Sequence, residues 1–188
     1  MVSLREAHKS DYKNIAQLHT RSWQENYRGV FSDHFLDVEV LAERLSVWKQ
    51  RCLHPPENQY ILLAEEDGIL LGFCCAYLGV DAIYGTYLDN LHVSAEANGK
   101  GLGTILMQRF VAEIRSRNAS DTLYLWVLDS NEVAINFYDK LNGKAEAPIK
   151  ANDIGDKEFW KVRYVWDSLQ ALETCINTKL ENYEHRRI

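Results

Sequence analysis

Three glycines at alternate positions, Gly99, Gly101 and Gly103, lie between a β-rich segment and an amphipathic one. This pattern predicts a strand, a tight loop and then a helix. Glycines let the backbone approach a ligand closely, and the N–H groups of the first helical turn form the positive end of the helix dipole. The segment therefore predicts an anion site, whose candidate binding residues are Asn98, Gly99, Lys100, Gly101, Leu102, Gly103 and Thr104.

The spacing of the glycines narrows the choice of anion. A Walker loop requires Gly-x-x-x-x-Gly-Lys-Ser/Thr, whereas Lys100 lies between two glycines here. A dinucleotide fingerprint would place its third glycine at Thr104 and would normally follow the first strand of the domain. The phosphate-bearing ligand that remains, for a strand, loop and helix late in a mixed sheet, is coenzyme A.

Several segments resemble the GCN5-related N-acetyltransferase (GNAT) superfamily. The loop from Asn98 to Gly103 resembles that family's acyl-CoA loop, Gln/Arg-x-x-Gly-x-Gly/Ala, and residues 91–93 resemble the apolar-x-Val that leads into it. Residues 131–141 resemble the family's helix Asn-x-x-Ala-x-x-φ-Tyr-x-Lys-φ, where φ is an apolar residue. Trp23 and the following Tyr27-Arg28-Gly29 resemble a pattern of many members that act on small molecules.

Two positions depart from the family pattern. Asn98 replaces the usual Gln or Arg, which we expect to cost little because the loop binds mainly through backbone N–H groups. After the helix of residues 131–141, Asn142-Gly143 replaces the family's usual Gly-Phe. This change could reshape the entry to the next strand.

The resemblance implies an acetyl-CoA-dependent N-acetyltransferase without a metal, in which an amine attacks the thioester directly in a ternary complex. It implies that the pantetheine arm pairs with the backbone of Leu91, His92 and Val93. The N–H of Val93 would then stabilise the oxyanion, and Tyr138 would be the general acid for the leaving thiolate. Asn131 would orient Tyr138 or contact the pantetheine, unless it is simply a polar residue at the start of its helix.

The attacking amine must lose a proton, which suits a carboxylate or a chain of water molecules. Asp89 is the first candidate base, since a charge inside an otherwise apolar strand is costly unless it is used or paired. Glu25 is the second and His92 the third. Strand alternation places Asp89 on the face of Leu91 and Val93, opposite Asn90 and His92, unless a β-bulge interrupts it.

The resemblance also implies an acceptor pocket walled by the first two helices and the loop between them. Its candidate lining residues are all aromatic: Trp23, Tyr27, Phe31, Tyr77 and Trp126. Aromatic walls with a carboxylate suit a cationic amine through cation–π attraction, although each of these side chains could equally belong to the core.

The elements that must position these residues alternate between strand and helix. The order read from the sequence is β-α-α-β-β-β-α-β-α-β-β-α, a mixed α/β single domain. The resemblance implies a central, mostly antiparallel sheet flanked by helices, over residues 1–167. We expect residues 168–188 to form a C-terminal helical extension, with an amphipathic helix over residues 168–183.

Local patterns predict details of these elements. Ser10 or Asp11 can cap the first helix, and the pair Asp67-Gly68 predicts a hairpin turn. The second helix is predicted to have an apolar stripe of Leu41, Leu45, Trp48 and Cys52. Asp129 or Ser130 can cap the helix of residues 131–141, with Glu132 completing a capping box with Asp129. Residues 144–149 are predicted to form a strand.

Composition excludes several other classes of protein. The 188 residues are 46% hydrophobic and 26% charged, which excludes disorder, and no apolar run reaches the roughly 20 residues of a membrane span. The formal net charge of −6 disfavours nucleic-acid binding. The four cysteines form no Cys-x-x-Cys pair, and the start of the chain has no signal-peptide pattern, so we expect buried thiols in a reducing cytoplasm.

Three alternatives remain open at this stage. The chain could be a non-catalytic acyl-CoA sensor, it could transfer a different acyl group, or its main role could be assembly, for example as a homodimer through the C-terminal helix. The acceptor, a small molecule or a peptide, cannot be named from the sequence because acceptor contacts come from variable helices and loops.

We expect acetyl-CoA to raise the melting temperature of the protein, with ATP and NAD as controls that do not. Ligand at 100 times its dissociation constant stabilises by about 2.7 kcal/mol, and each kcal/mol is worth about 2–4 °C for a chain of this size. Thermal unfolding with each ligand measures this. No shift with millimolar acetyl-CoA would contradict the assignment of the glycine loop.

Overall fold

The computed structural model describes residues 1–117 and 120–185, and in them an eight-stranded sheet carries helices on both faces. The strands are β1 (Ser3–Glu6), β2 (Gln59–Glu66), β3 (Ile69–Asp81), β4 (Gly85–Val93), β5 (Leu123–Leu128), β6 (Lys144–Ala145), β7 (Ile149–Ala151) and β8 (Phe159–Trp166). The helices are α1 (Tyr12–Asn26), α2 (Val40–Leu53), α3 (Leu102–Ser116), α4 (Glu132–Lys140) and α5 (Leu169–His185).

The sheet has the order β1-β2-β3-β4-β5-β8-β6, with β7 also paired to β8. All neighbours are antiparallel except β4 and β5, which are parallel. The hairpin of β2 and β3 turns at Asp67 and Gly68, both at positive φ, as the Asp-Gly pair predicts. This architecture confirms the predicted mixed α/β domain with a mostly antiparallel sheet.

Each face of the sheet has its own apolar core. On one face, α1 and α2 cover a cluster that includes Ile61, Leu63 and Phe73 of the sheet. On the other face, α3, α4 and α5 pack over a larger cluster that includes Leu106 and Leu125. Because β4 lies between the two layers, its alternate side chains reach both cores.

The last helix, α5, packs into this larger cluster through Leu169, Leu172 and Ile176, all of which are buried. A chain that ended at Asp167 would therefore expose part of the main core. Residues 186–188 of the predicted C-terminal extension lie outside the described part of the chain. Whether this segment is a separate extension or supports a homodimer stays a prediction.

Several local predictions are wrong. Asp11 does not cap α1 with its side chain; its carboxylate accepts from the N–H of His8 at 2.6 Å and pairs with Arg5. Residues 35–39 form a π-helical turn before α2. The strand predicted over residues 144–149 is two short strands, β6 and β7, because the chain leaves the sheet between them.

A cluster of polar side chains lies between α1, α2 and the sheet, in which Trp48 and His19 are fully buried and His92 is partly exposed. The indole N–H of Trp48 donates to Nδ1 of His19 at 3.0 Å, and the rings of His19 and His92 lie 4.3 Å apart. Burial lowers the pKa of His19 well below its usual value, with smaller contributions from His92 and nearby arginines. Burial and then Arg44 lower the pKa of His92 to about 3. Both rings are therefore neutral in the folded protein.

These two histidines predict a loss of stability on mild acidification. Between pH 6.5 and 5 the unfolded chain protonates at both rings while the folded chain does not. The free energy of unfolding therefore decreases as the pH is lowered. The slope approaches about 1.4 kcal/mol per pH unit for each histidine. Urea unfolding at pH 7.5, 6.5 and 5.5 measures it.

The variant His92→Gln should remove about half of this slope. His54→Gln is the control, because His54 is exposed after the end of α2. Equal slopes in the wild type and His92→Gln would contradict a neutral His92 ring in the folded protein.

Candidate active site

The site lies where β4 and β5 diverge. The two strands pair at Thr86 with Leu123 and at Tyr87 with Tyr124, and no further pairs form toward their carboxyl ends. A cavity of about 740 Å³ opens there between residues 88–93 and residues 125–128. It continues to the N-terminus of α3 in one direction and to the cleft beside α1 and α2 in the other.

The glycine loop forms the first end of this cavity. Gly99 and Gly101 have φ values of 73° and 83°, the left-handed region that glycine adopts without strain. The N–H of Ile105 donates to Gly101 O at 3.0 Å, the first i→i−4 bond of α3. The preceding N–H groups of residues 102–104 have no such partner within the helix, and these residues line the cavity.

Gly103 lines this end of the cavity, whereas Lys100 does not. A Cβ on Gly103 would lie 3.6 Å from the ring of Phe137, an ordinary contact, so packing within the chain does not require glycine there. The missing side chain leaves room on the cavity side. Lys100 is exposed and does not line the cavity, although Asn98, Gly99, Gly101, Leu102, Gly103 and Thr104 all do.

Tyr138 lies on α4 in the cavity wall, with 7% of its surface exposed. Its ring packs near Tyr164 and Trp166, at centroid distances of 5.7 and 6.0 Å. Burial, and secondarily Tyr27, raises its pKa above the usual value of 10. The raised pKa keeps the hydroxyl protonated. It has no hydrogen-bond partner among the described residues and is therefore available to a ligand.

Asn131 is the N-cap of α4, since its Oδ1 accepts from the N–H of Ala134 at 3.1 Å. The capping box predicted from Asp129 and Glu132 is therefore wrong, because the helix begins two residues later than that box requires. The amide of Asn131 also lines the cavity.

A β-bulge in β4 changes the predicted faces of the strand. Cys75 pairs with Asn90 and Ala76 with Leu88, so Asp89 is an extra residue without a partner on β3. Asp89 consequently lies on the α2 side with Asn90, where Arg51 Nη1 is 2.6 Å from Asp89 Oδ2 and donates to Asn90 Oδ1 at 2.9 Å. Strand alternation therefore does not hold at Asp89, because the β-bulge that was left open as an exception interrupts it.

The other two candidate bases are placed differently. Glu25 is exposed on α1 and does not line the cavity. His92 does line it, and its Nδ1 lies 2.8 Å from Ser22 Oγ. Its lowered pKa makes it a poor proton acceptor.

Three of the five candidate acceptor residues, Trp23, Tyr27 and Trp126, line the second end of the cavity. Phe31 does not, because its ring is fully buried between Phe35 and Phe159. Tyr77 of β3 does not line the cavity either, and the centre of its ring lies 5.7 Å from the Arg51 guanidinium.

The charged side chains of this second end were not predicted from the sequence. Arg44 and Arg51 line it from α2, Glu43 lies beside them, and Asp153 and Lys161 come from the region of β7 and β8. The spacing of seven residues between Arg44 and Arg51 places both on one helix face, a signal present in the sequence. Instead, the apolar stripe predicted for α2 included Leu41, which is exposed, while Arg44 is buried.

The described residues were also compared with the requirements of metal sites, membrane spans and disulfides, and they meet none of these. Residues 1–117 and 120–185 contain no group of three His, Cys, Asp or Glu side chains arranged to hold a metal ion. Within the same residues, no helix has the length and apolar content to cross a bilayer. Cys52, Cys74, Cys75 and Cys175 are free thiols.

Comparison with known proteins identifies the fold. The protein is 26% identical over 179 residues to YuaI of Bacillus subtilis, described as an uncharacterized N-acetyltransferase, covering 94% of this chain and 99% of YuaI. PaiA N-acetyltransferase of Thermoplasma acidophilum, solved in complex with coenzyme A, matches with a TM-score of 0.66 and 19% identity over 86% of this chain and 98% of PaiA. YncA of Salmonella typhimurium, solved with its cofactor acetyl-CoA, matches with a TM-score of 0.62 and 18% identity over 90% and 94%.

The likeness to the two structures concerns the fold, and the family is shown by sequence. The model of the acetyltransferase (GNAT) family matches residues 12–143, which include the glycine loop, the divergent strands and Tyr138. The chain therefore belongs to the acetyltransferase (GNAT) family.

Proposed function

We propose that this protein transfers the acetyl group of acetyl-CoA to a primary amine of a small molecule or peptide, by direct attack in a ternary complex. One observation carries the proposal: a single cavity joins the N-terminus of α3 to an aromatic and charged cleft, and the Tyr138 side chain lines the same cavity. A donor bound at one end and an acceptor at the other would meet beside this hydroxyl.

The first end suits the pyrophosphate of coenzyme A. The N–H groups of residues 102–104 are unpaired within α3, and the helix dipole favours an anion there. Gly101 and Gly103 leave space for the ligand to approach these groups. PaiA and YncA, which share the fold, were solved with coenzyme A and acetyl-CoA respectively.

The open edge of β4 suits the pantetheine arm and the thioester. The N–H of Ser94 donates to Leu71 O on β3 at 2.7 Å. Because successive N–H groups of a strand point in opposite directions, the N–H of Val93 points to the open edge instead. This group is our candidate oxyanion donor, and such donors are worth about 3–4 kcal/mol.

In the proposed step, the amine nitrogen attacks the thioester carbonyl carbon and the C–S bond breaks. The sulfur receives a proton or a hydrogen bond from the Tyr138 hydroxyl, which its raised pKa keeps protonated. The amine loses one proton to a base. Asp89 remains our candidate, since Arg51 holds its carboxylate at the cavity wall and the alternatives are exposed (Glu25) or weakly basic (His92).

A panel of primary amines tests the function. We expect release of the CoA thiol from acetyl-CoA only when an accepted amine is present, together with a product that carries one added acetyl group. Thiol titration and mass spectrometry measure the two. Saturable acetyl-CoA binding without transfer to any amine of a broad panel would contradict the proposal and favour a sensor.

Tyr138→Phe should lower kcat by about 100- to 10,000-fold, the range of general acid catalysis, with little change in acetyl-CoA affinity. The control is Tyr164→Phe. The ring of Tyr164 neighbours that of Tyr138, but its hydroxyl donates to Asp139 Oδ1 at 2.7 Å and does not line the cavity. We expect this control to lose stability by about 1 kcal/mol and to keep its kcat. Full turnover in Tyr138→Phe at neutral pH would contradict the assigned acid.

A further inference from the structure

Arg44 is a buried cation at the acceptor end of the cavity. Only 7% of its surface is exposed, and its guanidinium lies 4.4 Å from the centre of the Trp23 ring. Burying a charge is costly, so such a group is normally paired or used. Its burial on α2 interrupts an apolar face that continues at Trp48 and Cys52.

The partners of Arg44 leave part of the guanidinium available. Nε and Nη2 both donate to the carboxylate of Glu43, the preceding residue. The third nitrogen, Nη1, makes no hydrogen bond with any residue in 1–117 or 120–185. Because Arg44 lines the cavity, its unused N–H groups are accessible to an acceptor bound there.

The other two cations of the cleft pair with carboxylates of other segments. Arg51 Nη1 is shared between Asp89 and Asn90. Lys161 Nζ lies 2.5 Å from Asp153 Oδ2. Arg44 pairs instead with the adjacent residue of its own helix, and it is the more buried of the two arginines, with 8% of its side chain exposed against 22% for Arg51.

Arg44 also lies close to the expected reaction centre. It stacks on Trp23 of α1, and it is near enough to His92, on the strand that would hold the thioester, to contribute to the lowered pKa of that ring. An anionic group bound at Arg44 would therefore be only a short distance from the nitrogen that attacks the thioester.

The balance of charge in the cleft favours an acceptor that carries both signs. Glu43, Asp89 and Asp153 offset Arg44, Arg51 and Lys161. A zwitterion adds no net charge to this set, whereas a polyamine would place extra positive charge beside a buried arginine.

We infer that the acceptor is an amino-acid-like zwitterion, with a carboxylate bound by Arg44 Nη1 and a primary amine directed at the thioester. This inference rests on the proposed function, because it names the class of acceptor for the same site. Arg44 would be a specificity-determining residue that touches the substrate.

Matched pairs of probes test the inference, each an amino acid and the amine that lacks its carboxylate: phenylalanine with phenethylamine, leucine with isoamylamine, and lysine with cadaverine. Two readouts are used, kcat/KM for CoA release and calorimetric binding of each probe to the CoA-bound protein. We expect at least one amino acid to exceed its partner amine about 10- to 100-fold in both, the value of a hydrogen bond between charged groups.

The variant Arg44→Gln should remove this preference, because it should lower kcat/KM for the amino acids about 10- to 100-fold more than for their decarboxylated partners. Arg44→Lys should restore part of it, because it keeps the charge and loses the planar fork. Arg115→Gln is the matched control, since Arg115 pairs with Glu173 on the exposed side of α3, away from the cavity. The acetyl-CoA melting shift of each variant reports that the fold and the donor end are intact.

The outcomes separate this inference from the proposed function. Transfer to amines with no preference for the carboxylate overturns the inference and leaves the function standing. Carboxylate-dependent binding that Arg44→Gln abolishes, without transfer to any probe, supports the inference and contradicts the function. An equal loss for both members of each pair in Arg44→Gln overturns the role of Arg44.

Discussion

The short parallel contact between β4 and β5 is the constraint on which the rest of the site depends. Only two residue pairs join the strands before they separate, so the sheet is open at the carboxyl end of β4. Because α3 begins shortly after β4 ends, its unpaired N–H groups come to the same opening. Ligand sites in open α/β sheets commonly lie at such points, and here the opening gives both a backbone edge and a helix terminus to one cavity.

The two layers of helices supply different groups to this opening. The layer of α3, α4 and α5 supplies groups without net charge, namely backbone N–H groups and the Tyr138 hydroxyl. The layer of α1 and α2 supplies aromatic rings and fixed charges. The bulge at Asp89 connects the two, because it turns one carboxylate of β4 away from the core of α3 and toward Arg51.

Much of the fold and of the first end of the cavity could be predicted from the sequence, because the sequence signals for them are local. The Asp67-Gly68 turn, the glycines before α3 and the spacing from Asn131 to Tyr138 each depend on residues within one element or its boundary. Even so, local signals can compete. Asp129, Ser130 and Asn131 are all good caps, and the helix begins after the last of them.

The sequence by itself determined the order of elements up to α4, the glycine loop and the position of Tyr138, since chain-local geometry fixes these. Only the tertiary structure decided which charges face the cavity. The bulge that moves Asp89 is defined by pairing with β3, and the burial of Arg44 by packing of α2 against Trp23. The same packing buries Phe31 away from the cavity. Such outcomes depend on contacts between segments distant in sequence, which residue spacing within one segment does not encode.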